Sequence, residues 1–198
     1  MKNCNLRGAG ICRNIGLDYI KKNINGEFLL LPFDGDDTLT SSAVRIIKNK
    51  MINTKFKVIS FAHKKIWANG TQKVIRYSGV YSISDLLKKY ITPCGSTVIK
   101  IHDSKILKNF RFGSRFRAND ALFFYQVIKY FKKFKCSPEI ILNYKIGNPD
   151  SLSGKKLRMI YYKYMSYIDF GLSGYRALFY TTYYVLNGIR RYYFKESV

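Results

Sequence analysis

The chain has 198 residues, 35 of them lysine or arginine against 12 aspartate or glutamate, which gives a formal charge of +23. That length fits one domain with a buried core, and an apolar content of 47% excludes a disordered polar chain. No apolar run approaches the roughly 18–20 residues of a spanning helix, and the polar residues scattered through the first twenty argue against a secretory signal. The charge implies an anionic partner: nucleic acid, a phosphorylated metabolite or an anionic membrane surface.

Residues 11–24, ICRNIGLDYIKKNI, place Ile11, Ile15, Tyr19 and Ile20 at helical spacing, and Asn25-Gly26 stops the helix. Phe28 to Phe33 is a continuous apolar run and predicts a central strand. TLTSSAVRIIKNKM restarts a helix behind a Thr or Ser cap. KFKVISFAHKKIW and KVIRYSGVYSI read as two strands of a hairpin around ANGTQ. SISDLLKKYI is a short helix capped by Ser82 or Ser84, and TPCGSTVIKIHDSKIL is a loop running into a strand. NDALFFYQVIKYFKKF follows as an amphipathic helix and CSPEIILNYKIG as a further strand. This order predicts an α/β fold with a mixed sheet flanked by helices. The four cysteines, Cys4, Cys12, Cys94 and Cys136, lack CxxC spacing and a histidine partner, and they read as reduced thiols of a cytosolic protein. His63 and His102 lie in strand-like stretches and read as structural.

The last third differs in kind. Two helical stretches between Lys155 and Lys195 are crowded with Tyr, Phe, Lys and Arg, so the chain divides into an α/β part, 1–150, and a basic, aromatic helical part, 151–198. In YRALFYTTYYVLNGIRRYYFK the aromatics exceed what one core-facing stripe needs. Two readings stand: a helix packed on the sheet with surface tyrosines, or an interfacial helix lying on an anionic bilayer. Aromatics among arginines also suit base stacking, but no nucleic-acid recognition module is visible, so nucleic acid is not expected as a partner.

The densest chemical signal is FDGDDTLTSS, where Asp34, Asp36 and Asp37 put three carboxylates into four positions of a very basic chain. Crowded carboxylates repel unless a cation compensates, and Mg²⁺ or Mn²⁺ takes such oxygens together with substrate phosphates. Capping of the next helix explains one acid well and three poorly. A calcium loop fails, because the sixth and twelfth positions from Asp34 are Leu39 and Arg45 rather than Gly and Glu. The stretch also satisfies the pattern of haloacid-dehalogenase-like phosphatases, with Asp34 as nucleophile and Asp36 as acid/base. Those enzymes need a later acidic pair for Mg²⁺, whereas Asp85, Asp103, Asp120 and Glu139 stand isolated.

Three ordered motifs extend the signal beyond the acids. Cys12-Arg13-Asn14-Ile15-Gly16, Gly26-Glu27-Phe28-Leu29 and Asp34-Gly35-Asp36-Asp37 together resemble the middle of a family 2 glycosyltransferase of the GT-A, Rossmann-like fold. Downstream, SDLLKKYITPCGSTVIK, FRFGSRFRANDALFFYQVI and LNYKIGNPDSLSGKK resemble segments of bacterial polysaccharide and lipopolysaccharide sugar transferases. The resemblance spans about residues 6 to 192.

The resemblance implies transfer of a sugar from a nucleotide-sugar donor to a hydroxyl of a glycan or lipid-linked glycan acceptor, with inversion. It implies that Asp34 and Asp36, with Asp37 close by, hold Mg²⁺ or Mn²⁺ at the donor diphosphate. Arg13 and Asn14 would lie near the donor, and Asp120 would match the catalytic base; Asp120 is equally suited to capping the helix after it. Asn119-Asp120 stands where the family carries Glu-Asp. The family's first nucleotide-binding strands have no counterpart before Cys12, so the resemblance implies an N-terminally truncated, partial GT-A domain. A transferase using a lipid-linked acceptor would sit peripherally on the inner face of the plasma membrane. Two other functions remain open: the phosphatase, and a non-catalytic basic remnant that binds membranes or polyanions.

Overall fold

The computed structural model describes residues 8–89, 91–113, 119–146 and 156–193. Helix α1 covers Ala9–Asn23, β1 Phe28–Leu30, β2 Thr38–Leu39 and α2 Ala43–Ile52. Then come β3 (Val58–Trp67), β4 (Gln72–Ile75), β5 (Gly79–Ser82), α3 (Ile83–Lys88) and β6 (Thr97–Ile101). A 3₁₀ turn at Ser104–Asn109 leads to α4 (Asn119–Phe131), β7 (Lys133–Ile146), α5 (Lys156–Asp169) and α6 (Gly174–Tyr193). The strands form one mixed sheet in the order β1-β6-β3-β7-β2, with β4 added to β3 and β5 to β7.

The expected α/β mixed sheet with flanking helices is the fold observed. Alternation along the strands builds a core on each face. On one face Val58, Ile99 and Ile101 meet Leu17 of α1, Leu86 of α3 and Phe123, Phe124 and Val127 of α4. On the other, Ile59, Phe61, Val98 and Ile141 meet Ala43, Ile47 and Met51 of α2. A third cluster ties α5 and α6 to α3 and α4 through Tyr167, Phe170 and Ala177 against Leu87 and Ala121. The Tyr167 hydroxyl donates to the Leu87 carbonyl at 2.7 Å, which satisfies the polar end of a fully buried ring.

Three local expectations are corrected. The apolar run from Phe28 gives a strand of three residues, and that strand lies at the end of the sheet, paired antiparallel to β6. Its middle residue, Leu29, is exposed, so apolar continuity there did not mean burial on both faces. The second hairpin strand is two strands: β4 pairs with β3, whereas β5 crosses to pair with β7. Gly79 at the break has φ +112°, a conformation that L side chains rarely adopt. Helix α4 stops at Phe131 rather than continuing to Phe134, because Lys132 takes φ +70° and the strand starts at Lys133. The expectation of a Thr or Ser before α2 holds: that residue is Ser42, and β2 separates it from the three acids.

Long β7 carries Pro138 in its middle. The parallel register against β3 slips on both sides of Ala62, from Phe61↔Ser137 to Ala62↔Ile140 and then His63↔Leu142. Proline has no N–H for the ladder, so the pairing is interrupted there and the strand bends. The bend lets β7 serve β5 before the irregularity and β2 after it.

Candidate active site

The acidic segment leaves β1 as a tight turn in which the Asp37 N–H donates to the Asp34 carbonyl at 3.2 Å. Asp36 is exposed on this turn, Asp34 is half-buried and Asp37 is buried. The turn is set against the Pro93-Cys94-Gly95-Ser96 loop, since the Gly95 N–H donates to the Pro32 carbonyl at 2.6 Å. Gly95 has φ +78°, and a Cβ there would stand 3.0 Å from both methyls of Leu142. Only glycine lets this loop lie against β7 beside the acids.

Asp34 forms an ion pair with Arg13 of α1. The guanidinium also lies 5.3 Å from the centroid of the Phe112 ring, a cation–π contact. One residue on, the Asn14 amide clamps the Phe112 backbone: its NH₂ donates to the carbonyl at 3.0 Å and its oxygen accepts the N–H at 2.8 Å. The same loop is tied to α1 by Arg111–Asp18 at 2.7 Å, and to α4 by the Arg111 N–H on Gln126 at 2.7 Å. Thus α1, the loop before α4 and the acidic turn are held as one unit. Asn14 faces a backbone rather than the open cleft.

Asp120 lies in the first turn of α4, one residue inside the helix rather than at its cap. With Asp34 it lines a cleft of about 310 Å³ whose walls also include His63 and Lys65 of β3, Tyr144 of β7 and Cys94. The structure therefore brings together Arg13, Asp34 and Asp120 and leaves Asp36 on the exposed turn. Asp37 points into the sheet: its Oδ1 accepts the Lys145 N–H at 3.1 Å, and its Oδ2 is buried without a hydrogen-bond partner. Burial raises the Asp37 pKa to about 6, with the Lys145 hydrogen bond opposing and the charges of Asp36 and Asp34 adding to the rise.

Several residues in the cleft or near Asp120 carried no clear functional signal in the sequence. His63 is buried edge-on to Tyr144, with centroids 6.2 Å apart, and burial together with the Lys65 charge lowers its pKa to about 4. It is therefore neutral near pH 7. Burial and the Asp120 charge push the Cys94 thiol far above its ordinary range, so it stays a thiol. Lys163 of α5 rests over the rings of Tyr167 and Tyr184 at 5.1 and 5.7 Å; burial lowers its pKa to about 8 against the opposing charge of Asp120. Of these, the sequence had marked the Pro-Cys-Gly-Ser loop and had read His63 as structural. The strand residues read as ordinary alternation. His102 is outside the cleft and contacts Glu27 and Lys57 on the surface.

The turn offers a divalent ion fewer than three converging side chains. Among the described residues no group of three His, Cys, Asp or Glu side chains could hold a metal ion. Mg²⁺, however, is commonly held by one or two carboxylates plus phosphate oxygens of a substrate. The exposed Asp36 and the half-buried Asp34 are the carboxylates available for that smaller set, while Asp37 is turned into the sheet.

No protein-family model matches the chain, and no curated protein matches it. Among solved structures it is similar to Staphylococcus aureus TarS 1–349 in complex with UDP-GlcNAc, with a TM-score of 0.60 and 13% identity over 92% of this chain and 53% of that one. A second TarS 1–349 crystal structure gives a TM-score of 0.55 and 13% identity over 90% and 50%. The chain shares their fold, a mixed α/β sheet flanked by helices. At this identity the likeness concerns the fold, and the chain spans about half the length of the TarS structures it matches. Within that fold, the acidic turn and the start of α4 both line the cleft. The Ser-Leu-Ser segment, 151–153, lies outside the described residues.

Proposed function

We propose that the chain is a metal-dependent, inverting glycosyltransferase domain of the family 2 type, which moves a sugar from a nucleotide-sugar donor to a hydroxyl of a cell-surface glycan or lipid-linked glycan. The observation that carries this reading is the single cleft shared by Asp34, at the exit of β1, and Asp120, at the start of α4. Asp34 pairs directly with Arg13, and Asp120 acts on the same guanidinium at longer range, so a donor-phosphate end and an acceptor end would lie side by side.

Asp120 would accept the proton of the acceptor hydroxyl as that oxygen attacks the sugar. Arg13, a planar fork with several donors, would bond the donor diphosphate while keeping its contact with Asp34. Asn14 would act one step removed, fixing the Phe112 loop that supports Arg13 and leads to α4. Asp34 and Asp36, with Asp37 behind them, would hold Mg²⁺ or Mn²⁺; when bound, the ion offsets charge developing on the leaving diphosphate. The domain would work peripherally on the inner face of the plasma membrane. The phosphatase reading draws less support, because it needs a second acidic pair. Asp120 is the one acid besides Asp34 among the described residues lining the cleft.

Calorimetric titration with UDP, GDP and dTDP, with and without Mn²⁺, tests the proposal. Mn²⁺-dependent binding of one of them is expected, lost in Asp34→Asn and kept in Asp120→Asn, while Asp120→Asn abolishes turnover of the matching nucleotide-sugar. Absence of binding to all three at millimolar ligand would overturn it.

A further inference from the structure

The outer face of α6 presents an apolar stripe that the fold leaves uncovered. Tyr175, Leu178, Phe179, Thr182, Leu186 and Ile189 recur at three- and four-residue steps, so they share one side of the helix. The apolar members are between 47% (Ile189) and 78% (Tyr175) exposed. The opposite side carries Ala177 and Thr181, both buried where α6 meets its neighbours. A shallow groove, almost wholly apolar, runs along the exposed stripe from Tyr175 to Leu186. Contiguous apolar surface of this kind on a protein of this charge calls for an occupant.

We propose that this face of α6 docks on an anionic lipid bilayer. The stripe carries no charged residue, while Arg176 and Arg190, both exposed, flank it on one side. At 100° per residue they bracket Tyr183 on that edge, Arg190 just inside it and Arg176 just beyond it, where a helix lying in the membrane plane places its cations at headgroup level. Tyrosine, with an apolar ring and a polar tip, suits that depth. Over α5 and α6 together, Asp169 is the single acid, against Lys156, Arg158, Lys163, Arg176, Arg190 and Arg191.

Charge selects this occupant over a second copy of the chain. Pairing two copies would bring a formal +23 against another +23, whereas a negative leaflet attracts the same surface. Spanning is excluded for α6, because no helix among the described residues is long and apolar enough to cross a membrane, and its other face is packed. The inference deepens the membrane-associated part of the proposed function and is independent of sugar transfer.

Flotation of the purified chain with phosphatidylcholine vesicles, with or without phosphatidylglycerol, tests it. Binding to the anionic vesicles, little to the neutral ones and release at high salt are expected. Leu178→Glu with Phe179→Glu should lower partitioning by at least about tenfold, since two charges would enter the apolar layer. Leu186→Ser with Ile189→Ser should lower it by a smaller factor, and all four side chains are exposed, so the melting curve serves as a folding control. Equal partitioning of the wild type and either variant, or no binding by the wild type, would overturn the proposal. So would a concentration-dependent dimer that the glutamates dissolve. Nucleotide titration of the same preparations separates the two claims: vesicle binding without nucleotide binding sinks the transferase and leaves the docking face.

Discussion

His63 and Asp37 set opposing pH dependences on stability, and single substitutions pull them apart. The folded-state pKa of His63 is lowered from 6.5 to about 4 by burial and Lys65. Between these values the unfolded chain binds a proton that the native chain refuses, so stability is intact above pH 6.5 and is lost as pH falls. At about 1.4 kcal/mol per unit the whole window is worth about 3 kcal/mol, of which about 2 lie between pH 6.5 and 5. Asp37 runs the other way. Burial first, then the charges of Asp36 and Asp34, raise its pKa from 3.8 to about 6 against the Lys145 hydrogen bond. Here the native chain holds the proton, so this group's contribution is present at low pH and is lost as pH rises through 6. The wild type should therefore show a shallow profile from pH 4 to 6.5. His63→Leu removes the acid-labile part, and its stability relative to wild type should improve by about 2 kcal/mol from pH 7 to 5. Asp37→Asn should be about 3 kcal/mol more stable than wild type at pH 7, an advantage that fades toward pH 4. Urea denaturation at half-unit pH steps measures both, with unchanged m-values as the control. A His63→Leu difference that stays constant within about 0.5 kcal/mol from pH 7 to 5 would refute the reasoning.

Three further substitutions probe the supports of the site. Asn14→Ala leaves the Phe112 N–H and carbonyl without their partner, for an expected loss of about 1–3 kcal/mol and weaker nucleotide binding; a melting point within a degree of wild type would contradict the clamp. Gly95→Ala combines φ +78° with a 3.0 Å approach to Leu142, which should cost about 1–3 kcal/mol in a denaturant titration. A neutral result would mean that the loop moves freely off β7. Tyr167→Phe removes the hydrogen bond to Leu87 while keeping the ring, so a loss of about 1 kcal/mol is expected from thermal unfolding, and no change would show that the carbonyl is satisfied in another way.

Much of the site was legible because it is local. Asp34, Asp36 and Asp37 follow an apolar run, and the turn they form needs no distant residue to be recognised. The hairpin at Trp67–Thr71 and the Ser82–Asp85 capping box also formed where short-range chemistry placed them. Asp120 could be picked out at a helix start, but its position opposite Asp34 could not be derived from spacing. The edge position of β1 was hidden because Phe28–Leu30 has the composition of a central strand, and neighbours decide burial. Lys132 ended α4 in a conformation that no local glycine announced.

The sequence alone determined the alphabet of the site: a carboxylate turn, a basic chain that calls for anions, an arginine–asparagine helix and an aromatic, basic C-terminus. Those follow from residue type and short spacing, which act within a few positions. Tertiary structure alone decided the pairings: Arg13 with Asp34, Asn14 with the Phe112 backbone, His63 with Tyr144, and which face of α6 is buried. Each joins residues far apart in the chain, or sets one helix face against its neighbours, and only the packing of two cores across a bent β7 brings them within contact distance.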